Sequence, residues 1–239
     1  MDEAERTGRS SSPPFPDPVA LVAELRTAGI LVAARSGPID PAATSRHPEE
    51  RALVASAVPG RRAEVMTGRA LVREAMADLG GPDGPIGRRA DRSPDWPAGF
   101  GGSITHGGGW CLVVVARLPG GWGIGIDVEE DRPLPAAVAA RVLLPAERTR
   151  LAGSGLVRGE TVAFSAKESV FKAVNPLTGR WLEHHDVGVA PVHGPDPVVG
   201  TFEISWPGRG RRALAALSLS GRWMRSGGLV ASGCVARSV

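Results

Sequence analysis

An α+β fold is predicted by the order in which helical and strand patterns occur along the chain. Helical patterns fill much of residues 48–79 and 135–174, whereas short apolar strand patterns fill residues 110–128 and most of residues 187–235. Helices and antiparallel strands in separate blocks are typical of this fold class. A turn at residues 119–121 divides the 239 residues into near-equal halves, so the chain forms either one large domain or two small ones that share an interface.

The first half is predicted to contain two helices and two strands around a long loop. The second helix ends at Gly80-Gly81, a usual C-terminal stop, and glycine, proline and arginine then dominate an extended loop or hairpin. The elements in order are a strand at 30–33, helices at 48–57 and 61–79, the loop or hairpin at 82–102 and a strand at 110–118. Residues 1–16 are polar and rich in serine and proline, which predicts a mobile tail.

The second half is predicted to begin with a strand, continue with helices and end with strands. Its second helix is expected to end at Asn175-Pro176, because proline lacks the backbone donor that a helix needs. The elements in order are a strand at 122–128, helices at 135–152 and 160–174, and strands at 187–192, 198–206, 212–219 and 229–235. We therefore expect an N-terminal subdomain at 17–120 and a C-terminal subdomain at 121–239.

Composition restricts both the class of protein and its location. Hydrophobic residues make up 42% of the chain and the net charge is only +3, which suits a phosphate-rich small ligand or an acidic protein partner at least as well as nucleic acid. Nucleic-acid binding also lacks a basic cluster with interleaved aromatic residues. Cys111 and Cys234 are expected to be buried thiols of a reducing compartment. Because there is no signal-peptide core and no run that approaches a membrane span, we expect a cytoplasmic protein.

Two carboxylates lie on one side of the strand predicted at 122–128. In Gly125-Ile-Asp127-Val-Glu129 the period of two places Asp127 and Glu129 together, opposite the face that carries the apolar residues. Neighbouring carboxylates repel unless they share a cation or a proton. Oxygen ligands with glycines leaving room nearby would suit Mg²⁺, which keeps waters and substrate phosphates in its shell. The competing interpretation is a solvated strand end, since the run Glu129-Glu-Asp is acidic throughout.

The only two lysines of the chain, Lys167 and Lys172, lie in the segment Phe164-Ser-Ala-Lys-Glu-Ser-Val-Phe-Lys172, and all other basic residues are arginine. Lysine is a compact charge that can release a proton, so the segment suggests phosphate or proton-transfer chemistry. Glu168 and Lys172 share one helix face with Phe164. Two plainer interpretations remain open here. Glu168 and Lys172 could form an exposed salt bridge, or Ser165 and Glu168 could form a capping box at a helix start.

A glycine-flanked histidine follows a proline-rich segment, in Gly102-Ser-Ile-Thr-His106-Gly-Gly-Gly-Trp110. Glycines would let a ligand approach backbone amides, and Ser103 and Thr105 add hydroxyl groups, so phosphate binding is a natural use. His-Gly-Gly-Gly also occurs in esterases, but the chain has no Gly-x-Ser-x-Gly nucleophile motif. Candidate phosphate ligands upstream are Arg61, Arg69 and Arg88. Each of these could equally be a solvated surface arginine.

Taken together, these motifs resemble the signature of the Sfp-type 4′-phosphopantetheinyl transferases. The signature pairs Gly125-Ile-Asp-Val-Glu129 with Phe164-Ser-x-Lys-Glu-x-x-x-Lys172, and this spacing is far more specific than either part. Pro94-x-Trp-Pro-x-Gly-x-x-Gly-Ser-Ile-Thr-His106 and Asn175-Pro-Leu-Thr-Gly-Arg-Trp-Leu182 are similar to the siderophore (enterobactin synthetase component D-like) and mycobacterial-type branch. The resemblance implies two similar α+β subdomains related by pseudo-twofold symmetry, with the active site between them.

The resemblance also implies an activity and a set of residue roles. The phosphopantetheine arm of coenzyme A would move to a serine of an acyl, aryl or peptidyl carrier protein, with release of adenosine 3′,5′-bisphosphate. Asp127, Glu129 and Glu168 would hold Mg²⁺, with Mn²⁺ as the alternative, and Glu168 would also accept the serine proton. Lys172 would stabilise the developing phosphate charge, and Lys167 would contact phosphate or support the site.

Residues of the first half would bind the phosphates of coenzyme A in the same family. By matching positions these are Ser103, Thr105, His106, Arg61, Arg69 and Arg88. The expected partners are coenzyme A and an apo carrier protein that docks through its own acidic helix, and the expected state is a monomer without nucleic-acid or membrane partners. A catalytically silent module that binds coenzyme A or a carrier is the competing hypothesis, against which the intact carboxylate and lysine set argues.

Overall fold

The computed structural model describes residues 18–207 and 214–239, which form two large antiparallel sheets, each covered by a 20-residue helix, and one two-stranded hairpin. The α+β prediction is confirmed. The predicted tail at residues 1–16 lies outside the described residues. No helix of the described part of the chain is both long enough and apolar enough to cross a membrane.

A three-stranded sheet of order β1-β5-β4 forms the centre of the first half. The elements are a 3-10 helix Pro18–Val22, α1 Ala23–Thr27, β1 Val32–Pro38, α2 Pro48–Ala52, α3 Pro59–Asp78, the short hairpin strands β2 Gly87–Arg88 and β3 Pro94–Asp95, β4 Phe100–Gly107 and β5 Trp110–Arg117. The predicted helix at 48–57 is shorter than expected, and the strand predicted at 30–33 begins later. Strand β4 was not predicted, because its glycines resemble a loop.

A five-stranded sheet of order β6-β10-β9-β8-β7 forms the second half. The elements are β6 Trp122–Glu130, α4 Ala136–Val142, α5 Pro145–Gly153, α6 Gly159–Thr178, β7 Gly188–His193, β8 Val199–Ser205, β9 Leu217–Ser226 and β10 Leu229–Ser238. The single helix predicted at 135–152 is two helices, and part of the strand predicted at 212–219 lies outside the described residues.

Helix α6 does not end at Pro176, as the sequence suggested, but continues to Thr178 and closes at Gly179, where φ is +62°. Pro176 lies in the last turn of α6, where it lacks the N–H for one backbone hydrogen bond but does not end the helix. A left-handed residue at the end of a helix is usually glycine, since it has no Cβ to clash. The consequence is an additional half-turn of α6 beside the loop that follows it.

Three apolar clusters hold the two sheets and their helices together. Strand β5 contributes to two of them by alternation: Cys111, Val113 and Val115 pack with helix α3, whereas Leu112 and Val114 face the cluster shared by both halves. Strands β6 and β10 and the 3-10 helix also contribute to that shared cluster through Ile124, Ile126, Val128, Leu229, Ala231, Val19 and Leu21. The third cluster lies between α6 and the five-stranded sheet. The predicted subdomains therefore share part of their core.

Strands β4 and β6 belong to different sheets, yet they lie beside each other. The side chain of Ser103 on β4 accepts a hydrogen bond from the backbone N–H of Ile126 on β6, at 3.0 Å. At Gly107, a Cβ would lie 2.3 Å from the carbonyl oxygen of Val128, so the two strands approach closely enough to require glycine there. This junction brings residues of both halves to one place.

Candidate active site

Strand β6 presents its two carboxylates beside helix α6, as the period of two predicted. Ile124, Ile126 and Val128 face the shared core, so Asp127 and Glu129 lie on the opposite face. On that same face, a Cβ at Gly125 would lie 1.9 Å from the carbonyl oxygen of Ser169, and one at Gly123 would lie 2.0 Å from that of Ala173. The glycines therefore admit the helix backbone rather than leaving room for a metal, which corrects the sequence interpretation.

Lys172 on α6 contacts this carboxylate pair through Asp127. Its Nζ lies 2.8 Å from Asp127 Oδ1 and donates a second hydrogen bond to the carbonyl oxygen of Ile126 at 3.0 Å. The hydroxyl of Thr105 on β4 donates to the same Oδ1 at 3.1 Å. Asp127 is buried and its Oδ2 has no hydrogen-bond partner among the described residues, which is a costly state for a carboxylate oxygen.

Glu129 has a raised pKa in this cleft. Burial is the largest cause, and the nearby charges of Asp127 and Glu168 add to it against the effect of Lys172, so that the pKa of its carboxyl group is about 7. Three carboxylates thus act on one another with one ammonium among them. Within the residues that the structure describes, no three His, Cys, Asp or Glu side chains are grouped as a ready metal site.

The donor set nevertheless fits a hard divalent cation. The orphaned Oδ2 of Asp127 is buried next to a carboxyl group that holds its proton up to near-neutral pH. Mg²⁺ and Mn²⁺ prefer such carboxylate oxygens, and Mg²⁺ usually binds only one or two protein carboxylates and completes its shell with water and phosphate. Asp127 and Glu129 would be ligands, and Glu168 lies within electrostatic reach of Glu129.

Glu168 has a different partner from those that the sequence suggested. Its Oε1 lies 3.0 Å from Nε2 of His184, in the loop after α6, and in the described part of the chain it forms no salt bridge with Lys172. A capping box is also excluded, since α6 begins at Gly159 and the Ser165 hydroxyl instead contacts the hydroxyl of Ser232 at 2.8 Å. Neither plain interpretation of the segment describes the structure.

Lys167 does not accompany Lys172. Its side chain is 0% exposed, and its Nζ lies 2.8 Å from Glu147 Oε2 and donates to the carbonyl oxygen of His184 at 2.7 Å. Burial lowers the pKa of this lysine, and the hydrogen bond and charge of Glu147 raise it. A phosphate-binding role for Lys167 conflicts with this burial, because no ligand could reach the ammonium. Its contacts fit the other expected role, support of the site.

His106 and Arg61, both predicted phosphate ligands, contact each other and a carboxylate that the sequence did not suggest. An Arg61 N–H donates to Nε2 of His106, and Glu64 Oε2 lies 2.9 Å from the Arg61 guanidinium and 3.4 Å from the His106 ring. Burial lowers the pKa of His106, and the charges of Arg61 and Lys172 lower it further against the effect of Glu64. His106 is therefore neutral in this cluster, beside the charged guanidinium of Arg61.

The other predicted phosphate ligands are less close together. Arg69 is 6% exposed and donates to the carbonyl oxygen of Gly87 at 3.1 Å, which holds the β2–β3 hairpin, while Arg88 on that hairpin is exposed. Ser103 is occupied in joining β4 to β6. The structure thus brings Thr105, His106 and Arg61 to the Lys172 side, and places Arg69 and Ser103 in structural contacts.

The glycines after His106 have a structural use. Strands β4 and β5 form a hairpin in which Gly107 pairs with Trp110, and the two residues between them, Gly108 and Gly109, have φ of +56° and +81°. Two left-handed residues in a two-residue turn are the type I′ pattern that glycine favours. The predicted ligand-binding loop is therefore a tight turn at the end of a strand.

A cavity of about 710 Å³ opens on the other side of Lys172. Its walls come from residues 89–96 and strand β4 in the first half, and from Arg141 of α4, helix α6 and the loop after α6 in the second. They include Trp96, Ser103, Glu168, Phe171, Lys172 and His184. Lys172 thus lies between this cavity and the His106–Arg61 cluster. A long ligand with phosphates at one end and an uncharged arm at the other would fit such an arrangement.

Comparison with known proteins decides the family. A model described as the 4′-phosphopantetheinyl transferase N-terminal domain matches residues 49–116, and one described as the 4′-phosphopantetheinyl transferase superfamily matches residues 123–216. The chain belongs to the 4′-phosphopantetheinyl transferase superfamily. It is similar to the 4′-phosphopantetheinyl transferase Svp of Streptomyces mobaraensis, with 44% identity over 77% of this chain and 75% of Svp.

Two further relatives agree with the branch that the motifs suggested. The transferase is 34% identical to the 4′-phosphopantetheinyl transferase PptT of Mycobacterium tuberculosis, over 82% of this chain and 88% of PptT. It is 42% identical to enterobactin synthase component D of Escherichia coli K12, over 47% of this chain and 54% of that protein. The expected family and enzyme class are confirmed.

Several residues of the transferase site were missed from the sequence. Glu64, Glu147 and His184 all contact predicted site residues through side chains that no motif singled out. A signal existed for His184, because it lies two residues after the segment at 175–182 that is similar to the siderophore branch. For Glu64 and Glu147 there was none, since both look like ordinary surface acids of a helix.

Proposed function

We propose that the enzyme carries out its transfer at the junction of β4, β6 and α6, with coenzyme A as donor and a serine of an apo carrier protein as acceptor. The observation that carries this proposal is the Lys172–Asp127 pair at 2.8 Å, with the orphaned Oδ2 of Asp127 and the raised pKa of Glu129 beside it. Phosphoryl transfer needs positioning and charge neutralisation more than covalent help, and this cluster offers both.

The metal ligands would be Asp127, Glu129 and Glu168. When bound, Mg²⁺ or Mn²⁺ would neutralise charge on the pyrophosphate of coenzyme A. The raised pKa of Glu129 means that cation and proton compete for its carboxylate, so metal binding should strengthen as the pH rises through about 7. The other parts of the reaction would depend on side chains of the enzyme.

The serine hydroxyl would attack the phosphorus next to the pantetheine arm, and the bond from that phosphorus to the bridging oxygen of the pyrophosphate would break. Glu168 would accept the serine proton, directly or through a water. Lys172 would stabilise the negative charge that develops on the transferred phosphate and would donate to the leaving oxygen, which departs with adenosine 3′,5′-bisphosphate. Its position between the cavity and the carboxylates supports this role.

His106, Thr105 and Arg61 would bind the phosphates of coenzyme A, and Arg88 would extend this surface, because it is exposed on the neighbouring hairpin. The uncharged arm would lie in the 710 Å³ cavity, whose wall includes Phe171 and Trp96. Arg69 and Ser103 would assist by fixing the hairpin and the β4–β6 junction. We further propose a monomer divided near residue 120, with a cytoplasmic location, where Cys111 and Cys234 stay reduced as free buried thiols.

The test is direct transfer. The enzyme, Mg²⁺ and coenzyme A are incubated with a panel of apo acyl, aryl and peptidyl carrier proteins, and each carrier is weighed by mass spectrometry. We expect at least one carrier to gain the phosphopantetheine arm, and EDTA to abolish the gain. A panel in which no carrier gains mass, while coenzyme A still binds, would support the silent binding module instead.

A further inference from the structure

His184 is held on three sides in the loop after helix α6. Its ring stacks on Phe164 with centroids 6.0 Å apart and meets Phe171 edge-on at 5.3 Å, and both phenylalanines belong to α6. Its Nε2 lies 3.0 Å from Oε1 of Glu168, on the same helix. Two aromatic contacts and one hydrogen bond leave the imidazole little rotational freedom, although its side chain is 31% exposed.

The backbone at His184 is fixed from beneath by a buried ion pair. Lys167 Nζ donates to the carbonyl oxygen of His184 and contacts Glu147, which in turn accepts backbone N–H groups of Leu144 at 2.6 Å and Val189 at 2.7 Å. Every charge in this group has a partner, so the group is a rigid support and not a labile one. The support connects α5, α6, the loop and the start of β7.

Glu168 is within electrostatic reach of Glu129 while His184 holds it. The Glu168 charge contributes to the raised pKa of Glu129 in the same arrangement in which Oε1 contacts His184. One oxygen is thus fixed by His184, and the second, Oε2, has no hydrogen-bond partner in the described part of the chain.

We propose that His184 is a positioning residue that fixes the Glu168 carboxylate for metal binding, with Lys167 acting one step further back through the His184 backbone. This inference rests on the proposed function, in which Glu168 is a metal ligand. It assigns a task to the imidazole and explains why a lysine is buried beside the catalytic segment. An ordinary exposed ion pair would account for neither the two aromatic contacts nor the fixed backbone.

The proposal is tested with a pair of variants that separate the hydrogen bond from the ring. His184→Phe keeps an aromatic ring against Phe164 and Phe171 but removes the donor, whereas His184→Gln removes the ring and keeps an N–H that can reach Glu168. His193→Phe is the control, because that exposed histidine lies on β7 and contacts Trp223. Circular dichroism melts identify any variant that fails to fold.

Mn²⁺ affinity, measured by electron paramagnetic resonance at a single pH without coenzyme A, is the first readout. Interactions that orient a metal ligand are typically worth about 10-fold or more in affinity, so we expect His184→Phe to weaken Mn²⁺ binding about 10-fold, and His184→Gln to restore part of the loss. The control should match the wild type. Unchanged or tighter Mn²⁺ binding in His184→Phe, or a wild type that binds no Mn²⁺, would overturn the proposal.

Steady-state transfer is the second readout. We expect His184→Phe to lower kcat while KM for coenzyme A stays within about twofold, because the phosphate ligands are elsewhere. A wild type that transfers nothing would refute the proposed function, and the Mn²⁺ titration would still decide the positioning role. A wild type that transfers normally, with His184→Phe equal to it in both readouts, would refute the positioning role alone.

Discussion

The two sides of helix α6 use the same residue type for opposite purposes. Lys172 is partly open to solvent and contacts Asp127 at the junction of β6 and α6, while Lys167, five residues earlier, contacts Glu147 and has no exposed surface. The difference teaches that a pair of lysines in one motif need not share a task. One lysine lies where charge changes during a reaction, and the other lies where charge must not change.

Asp127→Ala is expected to have the largest effect, and it tests the partly exposed side of α6, which carries Lys172. This removes the partner of Lys172 and a metal ligand together, so we expect transfer to fall by about 1000-fold or more, roughly 4 kcal/mol of transition-state stabilisation. The measurement is the rate of mass gain by an apo carrier. A melting temperature close to that of the wild type would confirm that the fold is intact, and near-normal turnover would remove the metal assignment.

Substitutions on the buried side of α6, which carries Lys167, should lower the stability of the protein rather than its transfer rate. Lys167→Ala leaves Glu147 buried without its ammonium, a loss that costs about 3 kcal/mol or more in other proteins. We expect a matching decrease in the free energy of unfolding, measured with urea. Glu147→Ala should be at least as harmful, because it also strands the N–H groups of Leu144 and Val189. A Lys167→Ala protein of wild-type stability would contradict the comparison.

Lys172→Arg tests whether the open side needs an ammonium rather than a positive charge. The planar guanidinium cannot reproduce both the contact with Asp127 and the contact with the Ile126 carbonyl, so we expect kcat to fall about 100-fold, or roughly 2.7 kcal/mol. Lys167→Arg is the matched variant and should lose far less rate in the same assay. Equal effects of the two variants would mean that the sides of α6 do not differ in chemistry.

Glu129→Gln examines the smallest effect, the electrostatic strain of the cleft. The folded-state pKa of about 7 is above the ordinary value of 4.5, so the folded protein holds a proton that the unfolded chain releases between these values. Metal-free stability should therefore fall as the pH rises through that window, by about 1 kcal/mol after allowance for partial exposure. Thermal melts in EDTA from pH 5 to 8 should show this fall in the wild type and less of it in Glu129→Gln.

The sequence predicted the parts of the site that depend on local periodicity. Alternation along β6 places Asp127 and Glu129 on one face, and helical phase places Phe164, Glu168 and Lys172 on another. Both follow from backbone geometry alone. The family resemblance then connected the two motifs and is confirmed by the relatives. Of the two roles that it implied for Lys167, phosphate contact or support of the site, the burial of this lysine favours the second.

What the sequence could not predict depends on neighbours that are distant along the chain. The glycines near the site were misinterpreted from the sequence. Those after His106 form a turn rather than a ligand-binding loop, and those before Asp127 let α6 approach closely rather than leaving room for a metal. Glu64 and Glu147 are recognised only once α3 is seen beside β4 and α5 beside α6. No local pattern records such contacts, because they arise from the packing of whole elements.

The two glycines of β6 that face α6 also affect how this enzyme could be redesigned. Because α6 touches the strand backbone directly at Gly123 and Gly125, a side chain at either position would displace the whole helix and not one neighbour. Mutant libraries aimed at new acceptors or altered donors should hold these two codons constant and diversify the cavity wall at residues 180–183. We expect substitutions to be tolerated least at Gly123 and Gly125.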